Sequence, residues 1–243
     1  MAIEADITER KEIDDLKSNF VSMVSHELRT PLTSIMGSIG LVHSGAVGPL
    51  SQKITDLMTI AKTNTERLIG LVNDILDFEK LNSGGMDFNF KKIDICECLI
   101  ESVERNKSYA NGFDVQLELE IPQDGIPVKG DKERLIQVVT NFISNAVKFS
   151  PKGETVTVSV SKNGFFHRVE VIDHGTGIPE GFRDKVFEKF SQAETGNLRT
   201  VQGTGLGLSI SKGIIESHGG TIGFDPKVSV GAKFYFDLPA TIK

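Results

Sequence analysis

LMTIAKTNTERLIGLVNDILDFEKLNSGG, residues 57–85, closes one periodicity and opens another. Leu57, Ala61, Asn64, Leu68, Leu71, Ile75 and Phe78 recur at alternating steps of four and three, the seam of a coiled coil. Asn82-Ser83-Gly84-Gly85 then breaks the pattern with residues that suit turns. Upstream, Ile13, Leu16, Phe20 and Met23 follow the same helical spacing, and SGAVGPL at 44–50 separates the two runs. The spacing predicts a helical hairpin. Two antiparallel helices cannot hide two apolar seams from water by themselves, so a homodimeric four-helix bundle follows. A spacer or a trimerising coiled coil fits the same periodicity. Asn64 within the seam would cost stability while fixing register.

Beyond the glycines, strands and helices alternate. Runs at 115–121, 155–160, 166–172, 221–224 and 233–238 read as strands, and those at 94–109, 131–149 and 206–218 as helices. The fold class is therefore α+β: a hairpin domain over 1–83, then an α/β sandwich over 84–243. A domain of about 150 residues buries roughly 70% of its unfolded surface, enough for one core.

Composition narrows the partners. The 243 residues carry a net charge of −6, with 33 acidic against 27 basic side chains and no run of five like charges. Neither nucleic acid nor an anionic membrane is the expected partner. No stretch approaches the ~18–20 apolar residues of a membrane span, and residues 1–10 lack a signal-peptide core. The segment is expected to be soluble and cytoplasmic, even if a parent receptor is membrane-bound. Cys96 and Cys98 lack the partners of a disulfide framework or a zinc site and read as packing residues.

Three stretches can carry chemistry. SHELRTPLT at 25–33 puts His26 beside Glu27, with Thr30 four residues on and Pro31 predicted to distort the helix. An imidazole with an ordinary pKa near 6.5 is mostly neutral at pH 7, as a nucleophile must be, and a carboxylate on Nδ1–H would leave Nε2 free to attack. A lone helical histidine is equally compatible with a solvated surface residue. DHGTGIP at 173–179 follows a strand, and GTGLGLSI at 203–210 opens a helix. Glycines permit close backbone approach, and a helix N-terminus offers N–H groups to phosphate, although glycine clusters also serve as plain turns. No GxxxxGK[ST] occurs, and GTGLGL stands too late in the chain for a first dinucleotide-binding unit, so neither a P-loop nor a Rossmann site fits. In DKERLIQVVTNFISNAVKFS at 131–150, Asn141, Asn145 and Lys148 project from one side of a helix whose other side is apolar. An amide oxygen can ligate Mg²⁺ and an ammonium can meet phosphate; asparagines that simply fill a helix surface fit the same pattern.

Taken together, SHELRTPLT, NFISNAVKF, DHGTGIP with EKFSQ, and GTGLGLSI resemble, in order and spacing, the H, N, G1, F and G2 boxes of sensor histidine kinases. The resemblance spans essentially the whole chain. It implies a dimerisation and phosphotransfer bundle followed by an ATP-binding domain of the Bergerat fold. By that resemblance His26 matches the phosphoacceptor, Glu27 the adjacent acid/base and Thr30 the residue that places water for dephosphorylation. Asn145 with Asn141 would hold Mg²⁺, Lys148 would meet phosphate, and Asp173 would accept from the adenine amino group. Gly175 and Gly177 would shape the adenine pocket, walled by Phe149 and Ile178. Gly203, Thr204, Gly205, Leu206 and Gly207 would line the phosphates of ATP under a lid over 191–202, with Arg199 a candidate for the γ-phosphate and Phe187 and Phe190 as anchors. His174 departs from the family, which usually has Asn after the adenine-reading Asp. DITERK at 6–11 is similar to the end of a PAS sensor domain, so an upstream sensor is expected in a longer parent protein.

The implied activity is autophosphorylation of His26 from Mg²⁺-ATP and transfer to an aspartate on a response-regulator receiver domain, with phosphatase activity besides. ATP-driven clamps with the same pocket carry a hydrolytic Glu where this sequence has Asn141, and SHELRTP has no role in them. A scaffold with a vestigial ATP site would not need the asparagines and glycines intact.

Overall fold

The computed structural model describes residues 23–25, 27–42, 44–45, 48, 50–192, 204–228 and 230–240. The chain divides into two compact units, Met1–Met86 and Asp87–Lys243.

In the first unit, residues 27–42 form α1, which continues through Pro31, and α2 spans Gln52–Asn82. Gly45 and Gly48 between them adopt φ +79° and +105°, values that L side chains rarely tolerate. On α2 the buried residues are Thr65, Val72 and Leu76, with Met58 and Ile69 half-buried on the same stripe. Thr65 tolerates this position because its hydroxyl donates to the Ala61 carbonyl at 2.8 Å. From α1, Leu32, Met36 and Ile39 are half-buried.

The stripe buried within the hairpin is thus not the seam legible in the sequence. That seam lies one position to the side and is open in its first half, with Leu57 56% and Leu68 49% exposed, while Ala61, Leu71, Ile75 and Phe78 are half-buried. Asn64 is exposed too and donates to its own helix at the Ile60 carbonyl. α2 therefore carries two adjoining apolar stripes, one used inside the chain and one left partly uncovered. Leu28, Ile35, Leu41 and Ile60 extend the uncovered surface.

The second unit is a five-stranded mixed sheet with three helices on one face. Its elements run β1 (Lys91–Asp94), α3 (Ile95–Gly112), β2 (Gln116–Glu120), β3 (Pro127–Gly130), α4 (Lys132–Phe149), β4 (Thr155–Asn163), β5 (Phe166–Ile172), a 3₁₀ turn (Glu180–Lys185), α5 (Gly207–Ser217), β6 (Thr221–Phe224) and β7 (Lys233–Pro239). The sheet order is β2-β4-β5-β7-β6, with only the β2–β4 pair parallel. Register stacks the apolar residues on one face: Val158 opposite Val171, Val160 opposite Val169, and Val169 opposite Phe236. Phe142 of α4 covers them, its ring 5.5 Å from Phe234 and 6.1 Å from Phe236. The other face is polar, closed by a bidentate pair of Arg168 with Asp237 at 2.8 and 2.7 Å, the guanidinium 3.9 Å above the Tyr235 ring. Cys96 and Cys98 are buried in α3, where burial pushes their thiols up to about 11 and about 12.

A short antiparallel pair, β1 with β3, was not legible in the sequence. It delivers two aspartates to helix starts. Asp94 caps α3 by accepting from Cys96 N–H and also accepts from Ile126 N–H, and Asp131 caps α4 by accepting from Arg134 N–H and also accepts from Asn89 N–H. Asp131 N–H in turn donates to Nε2 of the buried His218 at 2.9 Å. Because Nε2 must accept, Nδ1 carries the proton and donates to the Ile214 carbonyl at 2.8 Å. One neutral imidazole thereby ties the end of α5 to the start of α4, beneath the rings of Phe88 and Phe90.

Burial holds the pKa of His218 below its ordinary value, with Asp131 opposing that shift. The unfolded chain therefore takes up the proton first, and stability falls as pH drops below about 6.5. His167, also lowered by burial, adds to the same trend. In His218→Gln the amide can still accept from Asp131 N–H but cannot titrate. The variant should lose about 1–2 kcal/mol at pH 7.5, yet lose less than wild type on going to pH 5.5, as measured by urea unfolding at both pH values. Equal losses in the two proteins would remove His218 from the pH response.

Candidate functional site

The second unit gathers the nucleotide candidates around α4, the loop after β5 and the start of α5. Asp173 leaves β5 into the interior and is 4% exposed. Antiparallel pairing of β5 with β7 places Ala232 opposite it, so Asp173 N–H donates to the Ala232 carbonyl at 2.9 Å and Ala232 N–H donates back to Asp173 Oδ1 at 3.1 Å. Gly175 N–H reaches the same oxygen at 2.8 Å. Both donors fall on Oδ1, which leaves the second carboxylate oxygen for the pocket. Burial pushes the Asp173 carboxyl above its usual range, while the two N–H groups and His174 pull it back.

The backbone around this carboxylate is too tight for side chains. A Cβ on Gly175 would stand 2.4 Å from the Phe149 carbonyl oxygen, and one on Gly231 would stand 1.8 Å from the Asp173 carbonyl oxygen. Gly177 has φ +70°, and a Cβ on it would stand 2.9 Å from the Gly231 carbonyl oxygen. Ile178 is half-buried and also borders a cavity of about 20 Å³ shared with Phe224, Asp225, Gly231 and Ala232. His174 is exposed, and its Nδ1 lies 3.1 Å from the Thr155 carbonyl at the start of β4, so the imidazole can tether the loop to the sheet.

On the opposite side, Asn141 and Asn145 are half-buried on α4. Asn141 Nδ2 donates to Ser211 Oγ of α5 at 3.0 Å, and a Cβ on Gly207 would stand 2.5 Å from Asn141 Oδ1. The amide oxygen therefore faces the first turn of α5. Among the described residues no side chain caps that turn; Thr204 Oγ1 accepts from Leu206 N–H at 3.1 Å, and the first N–H groups of a helix have no partner within it. Such a turn suits an anion. Gly205, at φ +71°, lies against the backbone of Phe190, where a Cβ would come within 2.9 Å of its Cα. Phe149 is 44% exposed at the rim, with Lys148 Nζ 5.2 Å from its ring centroid. Phe187 packs on Phe224 and Phe234, whereas Phe190 adopts φ +58° and is 67% exposed.

In the first unit, Glu27 and Thr30 are exposed on α1. His26, Arg199 and Gly203 lie outside the described residues, as does most of the lid, of which Ser191 and Gln192 are described. Sequence reasoning missed Gly231, Ala232 and Ser211. The first two were open to inference, because once 166–172 and 233–238 pair antiparallel, a small residue must sit opposite Asp173. Ser211 carried no signal of its own.

A carboxylate-floored pocket facing an uncapped glycine-rich helix start, in a chain that also carries a histidine-bearing helical hairpin, defines the class of ATP-dependent protein-histidine kinases. Comparison with known proteins agrees. Residues 16–84 match the His Kinase A (phospho-acceptor) domain, and residues 130–242 match the histidine kinase-, DNA gyrase B- and HSP90-like ATPase family. The sensor protein kinase WalK of Staphylococcus saprophyticus is 33% identical over 246 residues, covering 100% of this chain and 40% of that protein. A WalK of Staphylococcus aureus is 32% identical over 244 residues, with 100% of this chain and 58% of that protein covered. Among solved structures, full-length ShkA in complex with AMPPNP matches 92% of this chain and 46% of its own at 28% identity and a TM-score of 0.73. The mycobacterial sensor histidine kinase MprB matches 62% of this chain and 97% of its own at 30% identity and a TM-score of 0.53. The chain belongs to the sensor histidine kinases and carries their phosphoacceptor and ATP-binding domains. It spans 40% of the length of the S. saprophyticus relative. Among the described residues no helix is long and apolar enough to cross a membrane.

The crowding at Gly231 yields a test independent of activity. Gly231→Ala forces a Cβ onto the Asp173 carbonyl at a residue whose φ is +78°, whereas Gly181→Ala, in the 3₁₀ turn, meets nothing within 4 Å. Thermal unfolding should show Gly231→Ala destabilised by about 2–4 kcal/mol and Gly181→Ala within about 0.5 kcal/mol of wild type. Equal stability of the two variants would mean that the Asp173 loop and β7 are not closely apposed.

Proposed function

We propose that this chain takes the γ-phosphoryl group of ATP onto His26 and passes it to an aspartate on a response-regulator receiver domain. The observation that carries the reading is the pairing of a buried acceptor, Asp173, with an uncapped α5 start. The carboxylate accepts from the adenine amino group, with Phe149, Gly175, Gly177 and Ile178 around the base. Thr204 to Gly207 meet the phosphates, joined by Lys148 and by Gly203 and Arg199 of the lid. Asn141 and Asn145 fit Mg²⁺: the Asn141 oxygen is held toward the phosphate end by its bond to Ser211, beside a glycine that leaves room. When bound, the cation neutralises phosphate charge.

In the transfer, the free ring nitrogen of His26 attacks the γ-phosphorus, the bond to the ADP oxygen breaks, and Glu27 orients the ring and takes the proton from its other nitrogen. Asn141 supports this over hydrolysis, because an amide already donating to Ser211 offers no base for water. The catalytic work is positioning and charge neutralisation. The boundary between a phosphotransfer domain over 1–83 and a catalytic domain over 84–243 falls at Ser83–Gly85, where Gly84 has φ +69°, and this turn is the hinge of the reaction cycle. The uncovered stripe of Leu57, Ile60 and Leu68 supports a homodimer through a four-helix bundle. Thr30 places water for dephosphorylation of the regulator. A PAS-type sensor precedes the core in the parent protein, and this segment works in the cytoplasm.

Incubation with γ-labelled ATP should give an acid-labile, base-stable label on wild type and none on His26→Gln, with nucleotide affinity unchanged. Glu27→Ala should slow labelling by roughly 10²- to 10⁴-fold. Label retained by His26→Gln would overturn the assignment of the acceptor.

A further inference from the structure

Arg29, three residues after His26, crosses the hairpin: its Nη2 donates to Asn73 Oδ1 of α2 at 2.7 Å. Neither residue was singled out by motif reading, and Asn73 stands outside every box quoted above. The chemistry of this contact differs from that of Arg105 and Arg168 and is shared by Arg134, which donates to the Gln137 amide oxygen at 2.9 Å. Arg105 meets Glu101 and Glu133, and Arg168 meets Asp237, so their charges are cancelled by carboxylates. Arg29 is held by a neutral amide, and among the described residues it forms no ion pair. The amide fixes one edge of the guanidinium while leaving its charge and its remaining N–H groups unspent. A planar fork of donors so presented matches the oxygens of a phosphoryl group. The i, i+3 spacing of His26 and Arg29 is that of side chains on one face of a helix.

We infer that Asn73 is a positioning residue, which holds the uncancelled guanidinium of Arg29 toward the phosphoryl group carried to and from His26. The inference rests on the function proposed above and adds to it a cation from the hairpin itself. As the nitrogen–phosphorus bond forms and the bond to ADP breaks, Arg29 meets the charge on the phosphoryl oxygens. Asn73 touches neither substrate nor product. Its amide matters for being neutral: a carboxylate at the same place would hold Arg29 as well but cancel its charge.

The test compares Asn73→Asp, Asn73→Ala and Asn73→Gln with wild type in the rate of acid-labile labelling from γ-labelled ATP. Asn73→Asp should be slowest, by roughly 10- to 100-fold, since an ion pair withdraws the charge. Asn73→Ala should lose roughly 3- to 10-fold, and Asn73→Gln, which restores an acceptor, should recover most of the rate. All three should keep the wild-type KM for ATP, whose pocket lies in the other unit, together with wild-type helicity and sedimentation. Adding Asn73→Ala to Arg29→Ala should cost nothing further, because the amide acts only through the guanidinium. Additive losses in the double variant, or an Asn73→Asp protein as fast as wild type, would overturn the inference while leaving His26 as acceptor. Wild type without any acid-labile label would overturn both.

Discussion

Two backbone N–H groups, from Gly175 and Ala232, converge on one oxygen of the buried Asp173 carboxylate, and the architecture of the second unit follows from the need to make that possible. A carboxylate inside a protein is costly unless donors are fixed around it. Here one donor comes from the loop that Asp173 itself opens and the other from the strand paired against it. Both must approach within hydrogen-bond reach while the backbones on either side nearly touch, which excludes side chains at Gly175 and Gly231. The pocket is therefore a consequence of sheet register: β5 and β7 must pair as they do for Ala232 to face Asp173. What remains after those two bonds is one carboxylate oxygen, chemically suited to reading a single donor such as the amino group of adenine.

The phosphate end is built differently, from helices rather than strands. α4 and α5 are clipped together at two points: by Asn141 to Ser211 near the start of α5, and by Asp131 to His218 at its end. The first clip aims an amide oxygen at the helix start. The second fixes α5 along its length with a histidine that works only when neutral, so its cost appears as sensitivity to acid. Between them, the first turn of α5 has N–H groups that no side chain caps among the described residues, a liability that a phosphate would remove.

Much of this was legible in the sequence, for physical reasons that differ from element to element. The five main strands and α4 announced themselves because a one-sided core imposes strict alternation and a strict helical face. β1 and β3 did not, because four-residue strands containing Lys91, Lys92, Pro127 and Lys129 carry little apolar pattern. On α2 the periodicity was real but its use was not readable: two stripes one residue apart satisfy the same four-three spacing, and only packing shows that Thr65, Val72 and Leu76 face inward while Leu57 and Leu68 do not. Glycines 175, 177, 205 and 207 were found as a motif, whereas Gly231 belongs to the site only through strand pairing. Asn73 had no signature, since its significance lies in being an amide opposite Arg29.

The central claim is that the free oxygen of Asp173 selects the base. Calorimetric titration of the whole chain with Mg²⁺-ATP and with Mg²⁺-ITP, which differs by a 6-oxo group in place of the 6-amino group, tests it most directly. An acceptor cannot pair with an oxygen, and a buried carboxylate left facing one should weaken binding by roughly 10²-fold or more. Equal affinity for the two nucleotides would contradict the account and place recognition of the base elsewhere than on Asp173.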